Sequence, residues 1–174
     1  NGGSFAVTVA RRANRTVRAN EAVVRWMLWN EERMGLHTPA PYRDFAARVL
    51  QHREALQGLV RALVDAGRTV LGYGASTKGN VLLQYCGFTA QDIRAIAEVN
   101  EEKYGRYTPQ SHIPILAEAD VRSARPDYML VLPWHFRTGI VAREQGYLAA
   151  GGKLVFPLPH LDVVAASESS RAAA

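Results

Sequence analysis

The sequence predicts an α/β domain over residues 67–160, a mostly parallel sheet with helices on both faces, preceded by a strand and two N-terminal helices. Strand-like stretches alternate there with stretches of helical period, the pattern that builds parallel sheets through crossover helices. The run "YMLVL" (128–132) is apolar at every position rather than at alternate ones. A strand covered on one face alternates, whereas one covered on both does not.

From the start of the chain, "GSFAVTVA" (3–10) alternates and carries β-branched residues, so it reads as a strand. A basic linker follows, in which Arg11, Arg12, Arg15 and Arg18 cluster. Asn20 is placed to cap a helix over 21–34, with Val24, Met27, Leu28 and Met34 near helical spacing and Gly35 as its stop. A second, longer helix spans 41–66, opened by Pro41 and closed by Gly67. Its apolar face comprises Phe45, Val49, Leu56, Leu59, Val60 and Leu63.

Then "RTVLGYG" reads as a strand, "STKGNVLLQYCG" as a helix ending at Gly87, and "IRAIAEVN" as a strand. "HIPIL" is a short extended piece and "PDYMLVLP" a buried strand. "RTGIVAREQGYLAAGG" reads as a helix and "GKLVFPLP" as the last strand. The tail "ASESSRAAA" is small and polar, with too little apolar surface to hold a fold. The resulting organisation is a terminal strand and linker (1–19), a helical segment (20–66), a Rossmann-like domain (67–164) and a disordered tail (165–174).

Composition narrows the functional classes. With 48% hydrophobic and 21% charged residues the 174-residue chain is ordinary globular material. No apolar run approaches the roughly 20 residues that span a bilayer, and no signal-peptide pattern opens the chain. The single cysteine, Cys86, excludes an internal disulfide and a cysteine-based metal cluster, in keeping with a cytoplasmic setting. His37, His52 and His160 lack metal-ligand spacing. The net charge of +5 sits partly in the arginine cluster, which no aromatic–basic recognition motif accompanies. Neither nucleic acid nor membrane is expected as a partner.

The chemistry is expected at "LGYGASTKGN" (71–80), where a strand hands over to a helix. Gly72 and Gly74 permit positive φ or close approach of a ligand to the backbone. Ser76 and Thr77 sit at the helix start, where hydroxyls cap and free N–H groups attract anions. Lys78 adds a positive charge. The order Lys78-Gly79 is not that of a Walker loop, and Thr77 stands where a dinucleotide fingerprint needs its third glycine. Glu98, ending the next strand, lies about where a ribose-binding acid would. A phosphate cradle and a ligand-free turn are both compatible with this spacing.

Two further stretches fall on the same sheet edge. "NEEKYGRYTPQSHIPI" (100–115) offers Arg106 for bidentate phosphate contact and Tyr107 or His112 for stacking or hydrogen bonding to a ring. "LPWHF" (132–136) places Trp134 and His135 after the central strand, as ligand lining or core closure. No Ser-His-Asp or paired-carboxylate arrangement emerges, so no catalytic residue is assigned.

Together, "GYGASTKGN", "GRYTPQSHIPI", "LPWHF" and "GGKLVFPLP" resemble the C-terminal domain of S-adenosylmethionine-dependent sugar C-methyltransferases. The opening "GGSFAV" resembles the last strand of the methyltransferase domain that precedes it in that family. Gly72, Gly74, Lys78, Gly79 and Asn80 stand in the first motif. Gly105, Arg106, Tyr107, Thr108, Pro109, His112, Ile113 and Pro114 stand in the second, and Pro133, Trp134 and Phe136 in the third. The resemblance implies a domain that holds a nucleotide-linked deoxysugar, in an antibiotic pathway. S-adenosylmethionine and the base would reside in the preceding domain, and this fragment would be inactive alone. The chain departs from the family pattern at His135, usually Asn, and at Gln110-Ser111, usually Gly-Thr. It departs again at Glu98–Glu101, where an Asp-Arg-Asn-Pro run is usual. A nicotinamide-dinucleotide binder with Glu98 on the ribose, and a degenerate scaffold or interface module, are the competing readings.

Overall fold

The computed structural model describes residues 5–166. The chain divides into two compact units, 1–50 and 51–174.

In the first unit, helix α1 (Glu21–Arg33) begins where expected. The Asn20 side chain accepts from the Val23 N–H at 3.3 Å. It ends at Gly35 (φ +68°), with Leu36 N–H donating to Glu31 C=O and Gly35 N–H to Glu32 C=O. This paired cap needs a left-handed residue, which glycine supplies without steric cost. Helix α2 (Ala40–Asp65) runs across the division and stops at Gly67 with the same pair of bonds, from Arg68 and Gly67. Of its anticipated apolar face, Leu56 and Val60 are buried in the second unit's core, while Phe45 stays exposed. The strand read over 3–10 does not form: residues 5–10 have no regular structure, and 1–4 lie outside the described residues. A strand needs a partner for its backbone groups, and the described residues of the first unit hold no other.

The second unit is a six-stranded sheet made of β1 (Val70–Tyr73), β2 (Ile96–Glu98), β3 (Ile115–Ala117), β4 (Tyr128–Val131), β5 (Lys153–Phe156) and β6 (Asp162–Val164). Their order is β3-β2-β1-β4-β5-β6. Every pair is parallel except β5–β6. The central strands β1 and β4 are buried along nearly their whole length, as the unbroken apolar run requires. On one face Leu56 and Val60 of α2 and Leu82 and Leu83 of α3 (Thr77–Tyr85) pack with Phe88, Ile96 and Leu130. On the other, Val121 of α4 (Glu118–Ser123), Ile140 of α5 (Arg137–Arg143) and Leu148 of α6 (Gln145–Ala149) pack with Leu71, Val131 and Phe156. This is the Rossmann-like α/β architecture.

Three features differ from the sequence reading. The helix expected over 137–152 is two, broken at Glu144 (φ −93°, ψ 16°), whose carboxylate is drawn inward to buried partners. The short helix α4 and the antiparallel strand β6 are additional, each too short to show a periodicity of its own. The tail from 167 onward lies outside the described residues, whereas Ala165 and Ala166, also assigned to it, line a small depression beside Leu148. Among the described residues no helix is long and apolar enough to cross a membrane. Cys86 is fully buried, and burial pushes its thiol up to about 11, which makes it a packing residue rather than a nucleophile.

Candidate functional site

Strand β1 continues into α3 on one face of the sheet, whereas β4 continues into α5 on the other. Because β1 and β4 are neighbours, their connections part at the carboxyl edge and open a crevice, where open α/β sheets bind ligands.

The glycines set how close its walls come. Gly74 has φ +75°, and a Cβ there would lie 2.9 Å from Pro133 Cγ, so the loop after β1 rests on the loop after β4. Gly72 lies below in β1, where a Cβ would meet Ile96 Cγ1 at 2.7 Å. Gly79 lets α3 ride on β4, since a Cβ would lie 2.6 Å from Leu132 Cβ. It therefore does the helix–strand packing work of a fingerprint's third glycine, two residues later in the chain. Ser76 is the N-cap of α3. Its Oγ accepts from Gly79 N–H at 3.0 Å and donates to Leu132 C=O at 3.2 Å.

Glu98 ends β2 beneath this loop, nearly buried. Its Oε1 accepts from the N–H groups of Val99 (2.8 Å) and Asn100 (3.0 Å). Its Oε2 accepts from Ala75 N–H (3.0 Å) and Lys103 Nζ (3.1 Å). Four donors fill the four lone-pair sites of a carboxylate. Burial pushes this carboxyl upward, but the bonds from Asn100, Lys103 and Val99 outweigh it and hold it below its ordinary range.

Against this edge lies a cleft of about 400 Å³. Its lining includes Gly74, Ala75 and Ser76 from the loop after β1, Glu98 and Lys103, and Pro133, Phe136 and Ile140. It also includes Tyr73, Glu118 and Arg143. These three belong to a closed circuit of hydrogen bonds. Arg143 Nη2 donates to Glu118 Oε2 (2.6 Å), and Arg122 Nε donates to Glu118 Oε1 (2.7 Å). Arg122 Nη2 donates to Glu144 Oε1 (2.6 Å), as does the Tyr73 hydroxyl (3.0 Å). Arg143 Nη1 donates to the Tyr73 hydroxyl at 3.0 Å and closes the ring. Burial and the adjacent Glu144 push the Tyr73 hydroxyl up to about 12. Glu118 is pulled below its ordinary value by Arg122 and Arg143, against the opposing effect of burial.

Of the residues singled out in the sequence, Gly74, Ser76, Glu98, Pro133 and Phe136 line the cleft. Thr77 and Lys78 are exposed on the first turn of α3. Asn80 is half-buried, its Oδ1 enclosed without a hydrogen-bond partner. Trp134 and His135 lie half-buried in the single helical turn Trp134–Phe136. Desolvation and the Lys78 ammonium hold His135 below its ordinary value. The first and third motifs meet where Gly74 lies against Pro133 and Ser76 Oγ donates to Leu132 C=O. The second motif does not reach the cleft. Arg106 Nε is bonded to Glu102 C=O (2.6 Å), and Tyr107 and His112 are exposed. That loop is held by its own hydroxyls, with Thr108 and Ser111 bonded to each other at 2.8 Å. Gln84 Nε2 of α3 ties it down at Pro109 C=O. The sequence reading missed Tyr73, Lys103, Glu118, Arg143 and Glu144. The only local signal for any of them was the i,i+4 pair Glu118–Arg122. Among the described residues no group of His, Cys, Asp and Glu is arranged to hold a metal ion.

The two depressed carboxylates, Glu98 and Glu118, give a pH dependence of stability. A carboxyl held below the unfolded value of 4.5 contributes stability that is present above that value and lost as pH falls through the folded one. Acid titration followed by circular dichroism should show stability falling below pH 4.5, with Glu98→Gln reducing the slope. A flat profile there would count against both ion pairs.

Comparison with known proteins agrees with this architecture. A family model described as the C-methyltransferase C-terminal domain matches residues 1–159. A relative from Streptomyces niveus, "C-methyltransferase NovU", is 36% identical over 169 residues, covering 97% of this chain and 40% of its own length. The chain thus spans about two-fifths of that relative and aligns with it nearly end to end. The match runs through the glycine loop, the buried carboxylate and the Pro133 turn alike, and on it the chain belongs to the C-methyltransferase C-terminal domain family.

Proposed function

We propose that this chain is the substrate-holding domain of an S-adenosylmethionine-dependent C-methyltransferase acting on a nucleotide-linked deoxysugar or a related natural-product substrate. The diphosphate lies at the start of α3, against the 72–80 loop, with Lys78 and the helix N-terminus offsetting its charge. The loop after β1 rests on Pro133 at Gly74 and is bonded to Leu132 C=O through Ser76 Oγ at the mouth of the β1–β4 crevice, with the exposed Lys78 two residues on, and this juxtaposition carries the reading. The domain does no chemistry by itself. The acids lining the cleft are each paired with a base, Glu98 with Lys103 and Glu118 with Arg143, and neither is poised as a nucleophile or general base.

The methyl donor fits poorly on this chain. An adenosyl group seated as in a dinucleotide fold needs the acid after β2 to accept from its ribose hydroxyls. Glu98 has no lone pair left to offer, and the same saturation disfavours a nicotinamide dinucleotide. The donor and the proton-abstracting base therefore belong to a methyltransferase domain that precedes this one, in a cytoplasmic enzyme, and the cleft faces that domain.

Lys78→Ala is expected to weaken binding of a nucleotide-linked sugar about three- to fivefold at low ionic strength, with a smaller effect at high salt. Isothermal titration at two salt concentrations measures this. Unchanged affinity at both would remove the phosphate assignment. A chain that binds no nucleotide but associates tightly with the methyltransferase domain would favour a pure scaffold role.

A further inference from the structure

We infer that helix α1 and the turn after it form the surface on which the preceding methyltransferase domain of the same enzyme seats. The inference rests on the presence of that domain in the reading above, and not on the ligand.

The first unit has no core of its own. Among its described residues, 5–50, none is buried. Most of the exposed large apolar side chains of the described chain fall there, although it is the smaller unit. The second unit exposes fewer and buries an apolar core on each face of its sheet.

Helix α1 shows why this face needs a cover. It has 13 residues, about the length at which an isolated helix is marginal in water. Such a helix depends on packing, yet none of its residues is buried. Between Val23 and Trp29 only Arg25 is polar. At roughly 100° per residue, Val23, Val24, Trp26, Leu28 and Trp29 point round the whole helix. Trp26 is 63% exposed and Trp29 is 55% exposed. A helix that is apolar all round belongs in an interior.

That distribution selects the occupant. A lipid surface takes one apolar face and leaves a charged face in water. The middle of α1, with Arg25 as its lone charge, has no such face. A folded domain can enclose several sides at once. Position in the chain then decides between another domain and a second copy. The matched segment is 40% of the relative's length, and the family model is that of a C-terminal domain, so the remainder of a family member lies before it. The match takes in the first unit, so these helices belong to the domain and are not a variable linker. They are also its nearest part to that remainder, and elements consecutive in sequence usually pack together.

The surface is already shaped. Leu28, Glu31, Glu32, Leu36, His37 and Tyr42 line a groove of about 500 Å³. The Gly35 cap and the Tyr42 hydroxyl, which donates to Leu36 C=O at 2.9 Å, fix its outline. The Arg33 guanidinium lies 5.0 Å from the Trp29 ring centroid and holds that indole without covering it. Tryptophans held in this way are the side chains that carry most of the energy of an interface.

Hydrogen exchange read by mass spectrometry compares residues 21–34 in the 174-residue chain and in the full-length enzyme. In the full-length enzyme these amides should exchange about tenfold more slowly, while β1 and β4 exchange alike in both. Trp26→Ser together with Trp29→Ser should return 21–34 to the fast rate and leave β1 and β4 unchanged. Val81→Ser, at an equally exposed apolar site in the second unit, should leave the protection intact. Equal rates in the two proteins overturn the inference, as does protection that survives the double change or is lost with Val81→Ser. Sedimentation equilibrium of the 174-residue chain tests the second copy: a dimer that the double change dissociates overturns the inference. Protection of 21–34 in that chain on adding phosphatidylglycerol vesicles overturns it in favour of a lipid surface. The nucleotide titrations read residues 72–80, so the ligand assignment and this docking surface can each fail alone.

Discussion

Glu144→Ala lowers the unfolding free energy by about 3 kcal/mol, the low end of the range for breaking a buried ion pair. Glu144 is 1% exposed, and its Oε1 accepts from Arg122 and from the Tyr73 hydroxyl. Alanine leaves the Tyr73 hydroxyl without its acceptor and Arg122 with one partner instead of two. The low end applies because the Arg122 side chain keeps 36% of its surface exposed and retains Glu118. Glu144→Gln keeps an acceptor for both donors and is expected to cost less than half as much. Urea unfolding of the three proteins gives the ranking. If the alanine variant lost under about 1 kcal/mol, the circuit would be a surface feature rather than a tie between β1, α4 and α5.

Gly79→Val is the second large effect. An added Cβ would stand 2.6 Å from Leu132 Cβ and 3.0 Å from Ser76 Oγ. Neither neighbour can retreat cheaply, because Leu132 is fully buried and Ser76 caps the helix. α3 must lift off β4, at a cost of about 2–3 kcal/mol for overpacking. Lifting α3 also draws Ser76 away from Leu132 C=O and carries Lys78 with it, so nucleotide-sugar affinity should fall alongside stability. Gly79→Ala, with a single methyl, should show both effects in smaller measure. A valine variant with wild-type melting temperature would mean that the close approach of helix and strand is not what fixes the loop.

Local chemistry made much of the fold legible. Asn20, Gly35, Gly67 and Gly87 marked helix ends because capping is decided within a few residues. The run 128–132 marked a strand covered on both faces because burial leaves no polar alternation. The site was only half legible. Gly74 and Ser76 could be read because their role follows from the strand-to-helix turn that contains them. The circuit of Tyr73, Glu118, Arg122, Arg143 and Glu144 could not, since Tyr73 and Glu144 are 71 residues apart and meet only once the sheet is ordered. Arg106 lies outside the cleft, and its Nε donates to Glu102 C=O four residues back, a contact that the spacing of the loop does not reveal. Glu98 was legible as the end of β2, but its use depended on partners in two other segments that spacing cannot reveal.

The antiparallel closing strand has a practical corollary. Val164 pairs with Leu154 and Asp162 with Phe156, so β6 travels back from the ligand edge toward the opposite rim of the sheet. A tether or fusion partner joined beyond that strand departs from the far side of the domain. Immobilised by that end, the protein would offer its open mouth to whatever flows past.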